Sequence, residues 1–373
     1  MKVLLTGGGT AGHINPALAI AETILQNDPQ ANIEFVGVRG GKETDLIPRE
    51  GFRLHCVESM GIERSLSLKN IKAFWLAATS PHSKETQKIL DDFQPDIVIG
   101  TGGYASWPIM KAAVLRKIPT AVHESNAKPG LTVRILQKKV DRVWINFERT
   151  AELLRVKDPK RVIKVGNPLR KDFGAISKKD ARRHLGISDS QTLVLSFGGS
   201  LGAERVNASV LEVMDHLTAR DGEVVHIHAA GKRGYDATLS AFCQKGLHET
   251  GNCSIVDYIY DMPLRMAAAD LVVCRAGAMT LSELALMKKA AVLIPSPNVT
   301  DNHQCVNAKT LADRDAAIMV EEKDLEKGAL TDAVASILKD TKKRTALEDA
   351  ISAFADRDAN HRIWQDILEL TNR

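Results

Sequence analysis

With 373 residues the chain is too long for one average domain and ample for two, each able to bury its own core. A composition of 44% hydrophobic and 26% charged residues, with no low-complexity tract, excludes a disordered or fibrous protein, and a net charge of only +4 argues against a nucleic-acid binder. Five cysteines without CxxC spacing (Cys56, Cys243, Cys253, Cys274, Cys305) read as thiols of a reducing cytoplasm, not as a disulfide framework or a zinc site.

The chain opens directly into an apolar run with no signal-peptide pattern, and no run is long enough to span a bilayer, so a soluble or peripheral protein is expected. Short apolar runs at 2–6, 33–38, 53–57, 96–100, 119–123 and 142–146 predict strands. Helical periodicity lies between several of them, as in Ala17, Leu18, Ala21, Ile24 and Leu25. The turn-rich stretch Gly166-Asn167-Pro168-Leu169-Arg170 reads as an interdomain linker. The pattern then restarts: strand 192–197, helix about 203–219, strand 224–229, a short strand near 254–256, helix 262–269, strand 271–274, helix 279–288 and strand 290–294. The last stretch, 343–373, reads as helical and amphipathic and able to reach back to the first domain. The fold class expected is α/β, as two Rossmann-like, doubly wound parallel-sheet domains with ligands at the carboxyl ends of the strands.

A glycine-rich turn occurs twice between a strand and a helix. The first reads Gly7-Gly8-Gly9-Thr10-Ala11-Gly12-His13 and the second Gly198-Gly199-Ser200-Leu201-Gly202-Ala203. Each is expected to point backbone N–H groups at an anion. Gly7, Gly9 and Gly12 satisfy GxGxxG, but the second strand ends in Val38-Arg39-Gly40 without the ribose-binding carboxylate of a nicotinamide enzyme. A further cluster, Gly100-Thr101-Gly102-Gly103-Tyr104, follows the strand at 96–100 and suits another anionic group. Two domains facing each other with one anion site apiece suggest two phosphorylated substrates, or a donor and a phosphate-bearing acceptor.

Among side chains, His13 sits at a helix start beside an anion site, where the dipole favours a neutral imidazole fit for a general base. Glu124, in His123-Glu124-Ser125-Asn126, is the competing base, and Asn126 suits a sugar or an amide. Glu283 is placed on the first turn of the helix opening after Cys274, as a ribose ligand or a cap. The loop Pro295 to Gln304 is dense in amides and acids. No DxD pair stands at a strand end to hold a metal–diphosphate complex, and no HxxxH spacing appears.

The strings GGGTAGHINPALA, GTGGYASWP, HESN, VGNPLR, FGGSLGA, CRAGAMTLSE and the DNHQ loop, in this order over the whole chain, closely resemble the lipid-intermediate N-acetylglucosaminyltransferases of bacterial peptidoglycan synthesis, glycosyltransferase family 28. The resemblance implies a two-domain GT-B fold. Residues 1–165, with the C-terminal helix 355–373 packed back onto them, would form the acceptor and membrane-facing domain, and 166–354 would bind UDP-GlcNAc. The implied reaction joins GlcNAc, with inversion, to the C4 hydroxyl of the muramoyl sugar of undecaprenyl-linked lipid I. Carried over, Thr10, Ala11 and Gly12 line the sugar's side, with Asn126 and Gln304 on the GlcNAc. Gly102, Gly103 and Tyr104, with Gly198 and Gly199, supply the acceptor and phosphate loops. Arg170 and Ser200 meet the diphosphate, and the Ile259 backbone the uracil. Ala278, Met279, Thr280, Leu281, Ser282 and Glu283 hold the nucleoside, and His13 or Glu124 is catalytic. Ala11, Trp107 and Ala276 depart from the family's usual Gly, Gly and Ser.

A membrane-facing patch is expected at Leu66, Leu68, Ile71, Phe74, Trp75 and Leu76, interleaved with Arg64, Lys69 and Lys72; packing on the domain's own sheet accounts for the apolar half equally well. Expected partners are UDP-GlcNAc, lipid I, the inner face of the cytoplasmic membrane and other cell-wall synthesis or division proteins, without nucleic acid. No metal or other cofactor is required, with a divalent cation at most stimulatory. The rival readings are a non-hydrolysing UDP-GlcNAc 2-epimerase and a non-catalytic nucleotide-sugar-binding protein.

Overall fold

The computed structural model describes residues 1–61, 68–199, 201–218, 223–299 and 302–372. The chain divides into two compact units, Met1–Arg170 together with Arg357–Arg373, and Lys171–Asp356. The first unit holds β1 (Lys2–Thr6), β2 (Asn32–Val38), β3 (Arg53–Val57), β4 (Ile97–Gly100), β5 (Thr120–Glu124), β6 (Arg142–Ile145) and β7 (Val162–Lys164). All pair in parallel, in the order β3-β2-β1-β4-β5-β6-β7. Such strands are buried on both faces, which is why they read as continuous apolar runs. Alternate residues of β1 enter opposite cores. Val3 and Leu5 pack with Ile20, Ile24 and Phe35, whereas Leu4 packs with Val98, Ile109 and Val122.

The second unit holds β8 (Thr192–Phe197), β9 (Val224–Ala229), β10 (Cys253–Val256), β11 (Leu271–Cys274), β12 (Ala290–Leu293) and β13 (Ile318–Met319), in the parallel order β10-β9-β8-β11-β12-β13. Leu193 and Leu195 face one core, and Val194 the other. Two doubly wound parallel-sheet units are therefore present, as the alternation of strand and helix predicts.

Strands β7 and β13 were not anticipated, because a three-residue Val-Ile-Lys and a two-residue Ile-Met carry too little pattern. The stretch 343–373 is helical, in two helices. Thr341–Ser352 buries Leu347 and Ile351 in the second unit, and Ala359–Leu370 buries Ile363, Trp364 and Ile367 in the first. The break at 353–358 lets each apolar stripe serve a different core. The second helix is fixed by its polar groups too. The Trp144 indole N–H and the Arg142 guanidinium meet Asp366 at 2.6 and 3.0 Å, and the Asn360 side chain pairs with both backbone groups of Leu169.

Candidate active site

Strand order reverses between β1 and β4 in the first unit and between β8 and β11 in the second, so each unit has a switch point where the flanking loops diverge and leave a crevice. In the first unit the loops there are the glycine turn after Thr6 and Thr101–Gly103 after β4. They are tied together. The Thr101 amide donates to the Thr6 carbonyl at 2.8 Å, the Thr101 hydroxyl to the His13 carbonyl at 2.6 Å, and the Ser106 hydroxyl to the Gly102 carbonyl at 2.6 Å. Gly102 and Gly103 adopt φ of 99° and 77°, open only to glycine at low cost.

His13 is the third residue of the helix Ala11–Asn27, and its Nδ1 lies 3.0 Å from the Thr101 carbonyl. A carbonyl only accepts, so Nδ1 carries a proton, and the neutral form of the ring has its lone pair on Nε2. That tautomer is the one a general base needs. Thr10 and Gly12 are exposed beside it, Ala11 is half-buried, and the Tyr104 ring lies against Gly9. The anion expected at the first turn is already there. The Gly9 amide donates to the fully buried Glu43 carboxylate at 3.1 Å, an element the sequence reading missed.

Glu124 is buried and committed to its own loop. One oxygen accepts from the Asn126 amide and side chain at 2.9 and 3.0 Å, the other from the Gly130 amide at 2.7 Å. Burial pushes its carboxyl up, and these N–H groups pull it partly back. His123 is a buried neutral ring, lowered to about 4 by burial, with Nε2 donating to the Gly166 carbonyl at 2.9 Å. Arg170, expected on a diphosphate, is gripped by Glu50 through two bonds of 2.8 and 3.0 Å and by Glu22 at 2.9 Å. Trp107, at a position where glycine was expected, donates its indole N–H to the Ala77 carbonyl.

In the second unit, Gly199 and Gly202 have φ of 94° and 82°. A Cβ on Gly202 would fall within 3.0 Å of the Ala230 carbonyl, so this turn is pressed onto the loop after β9. A Cβ on Gly198 would stand 2.9 Å from the Ala203 amide nitrogen, a looser approach. Ser200 lies outside the described residues. Behind the turn runs a buried network with no signal in the sequence. The Ser196 hydroxyl lies 2.8 Å from His226 Nε2 and 2.9 Å from His228 Nδ1, His228 Nε2 lies 3.2 Å from Asn207 Oδ1, and the Asn207 amide donates to the Ala230 carbonyl at 2.9 Å. Burial lowers His226 to about 3 and His228 to about 4, so both are neutral.

Glu283 is the sixth residue of the helix Ala278–Leu286, capped by Gly277, and so stands on its second turn and not its first. It is 8% exposed, and burial pushes its carboxyl up to about 7, with no donor among the described residues drawing it back. Ala278, Met279 and Leu281 are buried, Leu281 within the core, whereas Thr280 and Ser282 are half-buried. Ile259 is buried, and the neighbouring Tyr258 and Tyr260 rings pack edge to face. Gln304 is not in a loop. It is the second residue of the helix His303–Ala312, and its side-chain oxygen accepts from the Ser296 amide at 2.9 Å. Arg275, also missed, bonds the carbonyls of Ile294 and Pro295 and pairs with Glu322 at 2.5 Å, fixing the loop after β12.

Of the expected membrane patch, Leu66 lies outside the described residues. Leu68, Ile71 and Phe74 fall on the helix Leu68–Thr79, Trp75 is 63% exposed, and Leu76 turns inward and is buried. Among the described residues no helix is long and apolar enough to cross a membrane, and no group of three or more His, Cys, Asp or Glu could hold a metal ion.

Residues 3–145 match the glycosyltransferase family 28 N-terminal domain and residues 193–363 its C-terminal domain. The chain is 41% identical over 370 residues, 99% of its length and 98% of the relative, to the UDP-N-acetylglucosamine–N-acetylmuramyl-(pentapeptide) pyrophosphoryl-undecaprenol N-acetylglucosamine transferase of Acetivibrio thermocellus. It is 39% identical over 371 residues, covering both chains fully, to the protein of the same name from Caldanaerobacter subterraneus subsp. tengcongensis. In fold it is similar to the crystal structure of Acinetobacter baumannii MurG, with a TM-score of 0.73, 24% identity and 99% of each chain covered. It is also similar to the UDP-GlcNAc 2-epimerase of Neisseria meningitidis, with a TM-score of 0.66, 14% identity and 99% and 100% covered. The chain belongs to glycosyltransferase family 28.

Proposed function

We propose that the protein transfers GlcNAc from UDP-GlcNAc to the muramoyl C4 hydroxyl of undecaprenyl-linked lipid I, inverting the anomeric centre and yielding lipid II and UDP. The observation that carries the reading is His13, held at the first switch point with Nδ1 bonded to the Thr101 carbonyl, in a chain about 40% identical over its full length to transferases of that name. In this mechanism His13 Nε2 takes the proton from the C4 hydroxyl as that oxygen attacks the anomeric carbon. The bond to the UDP oxygen breaks with its electron pair leaving on the diphosphate. Backbone amides of the Gly198–Gly202 turn receive that charge, with Arg170 once it leaves Glu50. Glu283 accepts from the ribose hydroxyls, a role that suits a buried carboxyl without a donor among the described residues, and Gln304 and Asn126 address the sugar. Glu124 holds the 125–130 loop and is not the base. The first unit receives the acceptor and the second the donor.

The same reading places the protein on the inner face of the cytoplasmic membrane, with Trp75 on the contacting helix, beside other cell-wall synthesis or division proteins. No cofactor is required; a divalent cation at most speeds product release. The epimerase reading is weaker, because the similarity to those enzymes lies in fold at 14% identity. Incubation with UDP-GlcNAc alone separates the two, since a C2 epimer formed without acceptor contradicts transfer. Label passing to a lipid I analogue, with and without EDTA, supports it. Tight UDP-GlcNAc binding with no labelled lipid would leave a nucleotide-sugar-binding protein.

A further inference from the structure

Glu43 is the first residue of the helix Glu43–Arg49, yet its side chain runs back under the first glycine turn and is fully buried there. Its two oxygens accept from the Gly9 amide at 3.1 Å and the Val38 amide at 2.9 Å, joining the turn after β1 to the end of β2. Three glycines make room for it. A Cβ on Gly8, Gly37 or Gly41 would stand less than 3.0 Å from Glu43 atoms. The sequence Val36-Gly37-Val38-Arg39-Gly40-Gly41 is thus a cradle for a carboxylate that arrives from the following helix. The far side of the same turn is fixed by its neighbour, since a Cβ on Gly103 would fall within 3.0 Å of the Gly8 carbonyl. Glu43 therefore presses the turn from one side while the Thr101–Gly103 loop, which holds His13 Nδ1, presses it from the other. A phosphate arriving at Gly9 would meet an occupied donor and a buried negative charge, which disfavours it.

We propose that Glu43 is a positioning residue for the base: it takes the place of a ligand anion in the first glycine turn and sets the turn that presents His13. The acceptor's diphosphate is then held elsewhere than on the Gly9 amide. Only the kinetic consequence rests on the transferase reading; the structural one does not.

The test uses the full chain with Glu43→Gln, Glu43→Ala and Gly8→Ala. Amide hydrogen exchange at Gly9 and Val38 is read first, and both should be protected in the parent and lose at least about tenfold of that protection in Glu43→Ala. In transfer assays kcat should fall at least about tenfold in Glu43→Gln, with KM for UDP-GlcNAc within about twofold. Gly8→Ala should cost similarly in the parent but little in Glu43→Ala, where the space is free. Unchanged exchange, unchanged kcat, a Gly8→Ala cost that persists without Glu43, or loss of the folded unit in Glu43→Gln would each overturn the proposal. A parent that transfers nothing overturns the transferase reading instead, and the exchange data still decide the place of Glu43.

Discussion

His13 and Glu283 carry the two most exacting residue-level expectations, one for each unit. If His13 Nε2 is the base, His13→Ala removes transfer but leaves UDP-GlcNAc affinity within about tenfold, roughly 1.4 kcal/mol, by calorimetry. A larger loss of donor affinity would place His13 in donor binding. Glu283 makes a pH prediction. Only the carboxylate accepts from both ribose hydroxyls, so UDP-GlcNAc should bind more tightly as pH rises through about 7, and Glu283→Gln should abolish that dependence. In the unliganded protein the sign is opposite. A carboxyl raised from 4.5 to about 7 contributes stability that is present below pH 4.5 and lost as pH rises through 7, up to roughly 3 kcal/mol. Glu283→Gln should accordingly be more stable than the parent at pH 8 in denaturant unfolding. Equal stabilities would mean that the carboxylate is better solvated than its burial implies.

At the scale of elements, the glycine turns were legible as strand-to-helix turns because Gly-rich strings after apolar runs have a local cause. What fills them was not legible. Glu43 reaches Gly9 from 34 residues away, and the His226–Ser196–His228–Asn207 network braces Gly202 through Ala230. Gly202→Ala requires both a left-handed backbone and space held by the Ala230 carbonyl, so it should cost more than about 1 kcal/mol and weaken UDP-GlcNAc binding. A variant with parental stability and affinity would contradict that close approach. The terminal stretch was legible as amphipathic from its periodicity, whereas its assignment to the first unit came from the resemblance, since periodicity does not say which core a stripe meets. Asp366→Ala strands the Trp144 N–H and leaves the Arg142 guanidinium only Glu369 as a carboxylate partner, and should destabilise the first unit by roughly 2–4 kcal/mol. Hydrogen exchange should quicken in residues 1–170 and stay unchanged in 171–356.

Across the whole molecule, the architecture was the easiest thing to read and the chemistry the hardest. Parallel strands buried on both faces announce themselves as short apolar runs, so the sheets were visible apart from the brief β7 and β13. Individual roles depend on partners the motifs do not show: Arg170 is held by Glu22 and Glu50, distant in sequence, and Glu124 by amides of its own loop. Three buried neutral histidines, His123, His226 and His228, also set a property of the molecule as a whole. Their depressed values mean stability that is present above pH 6.5 and lost as pH falls toward about 4 and 3. Acid unfolding followed by circular dichroism should be steep in that window, and replacing His226 should flatten it.

The central claim is transfer between two substrates with His13 as base. The most direct measurement is passage of radiolabelled GlcNAc from UDP-GlcNAc to a lipid I analogue, by the parent and by His13→Ala, with UDP-GlcNAc affinity measured on both. Labelled lipid from the parent, none above background from His13→Ala, and affinities within about tenfold are the expected result. Undiminished transfer by His13→Ala, or a C2 epimer in place of labelled lipid, would contradict it.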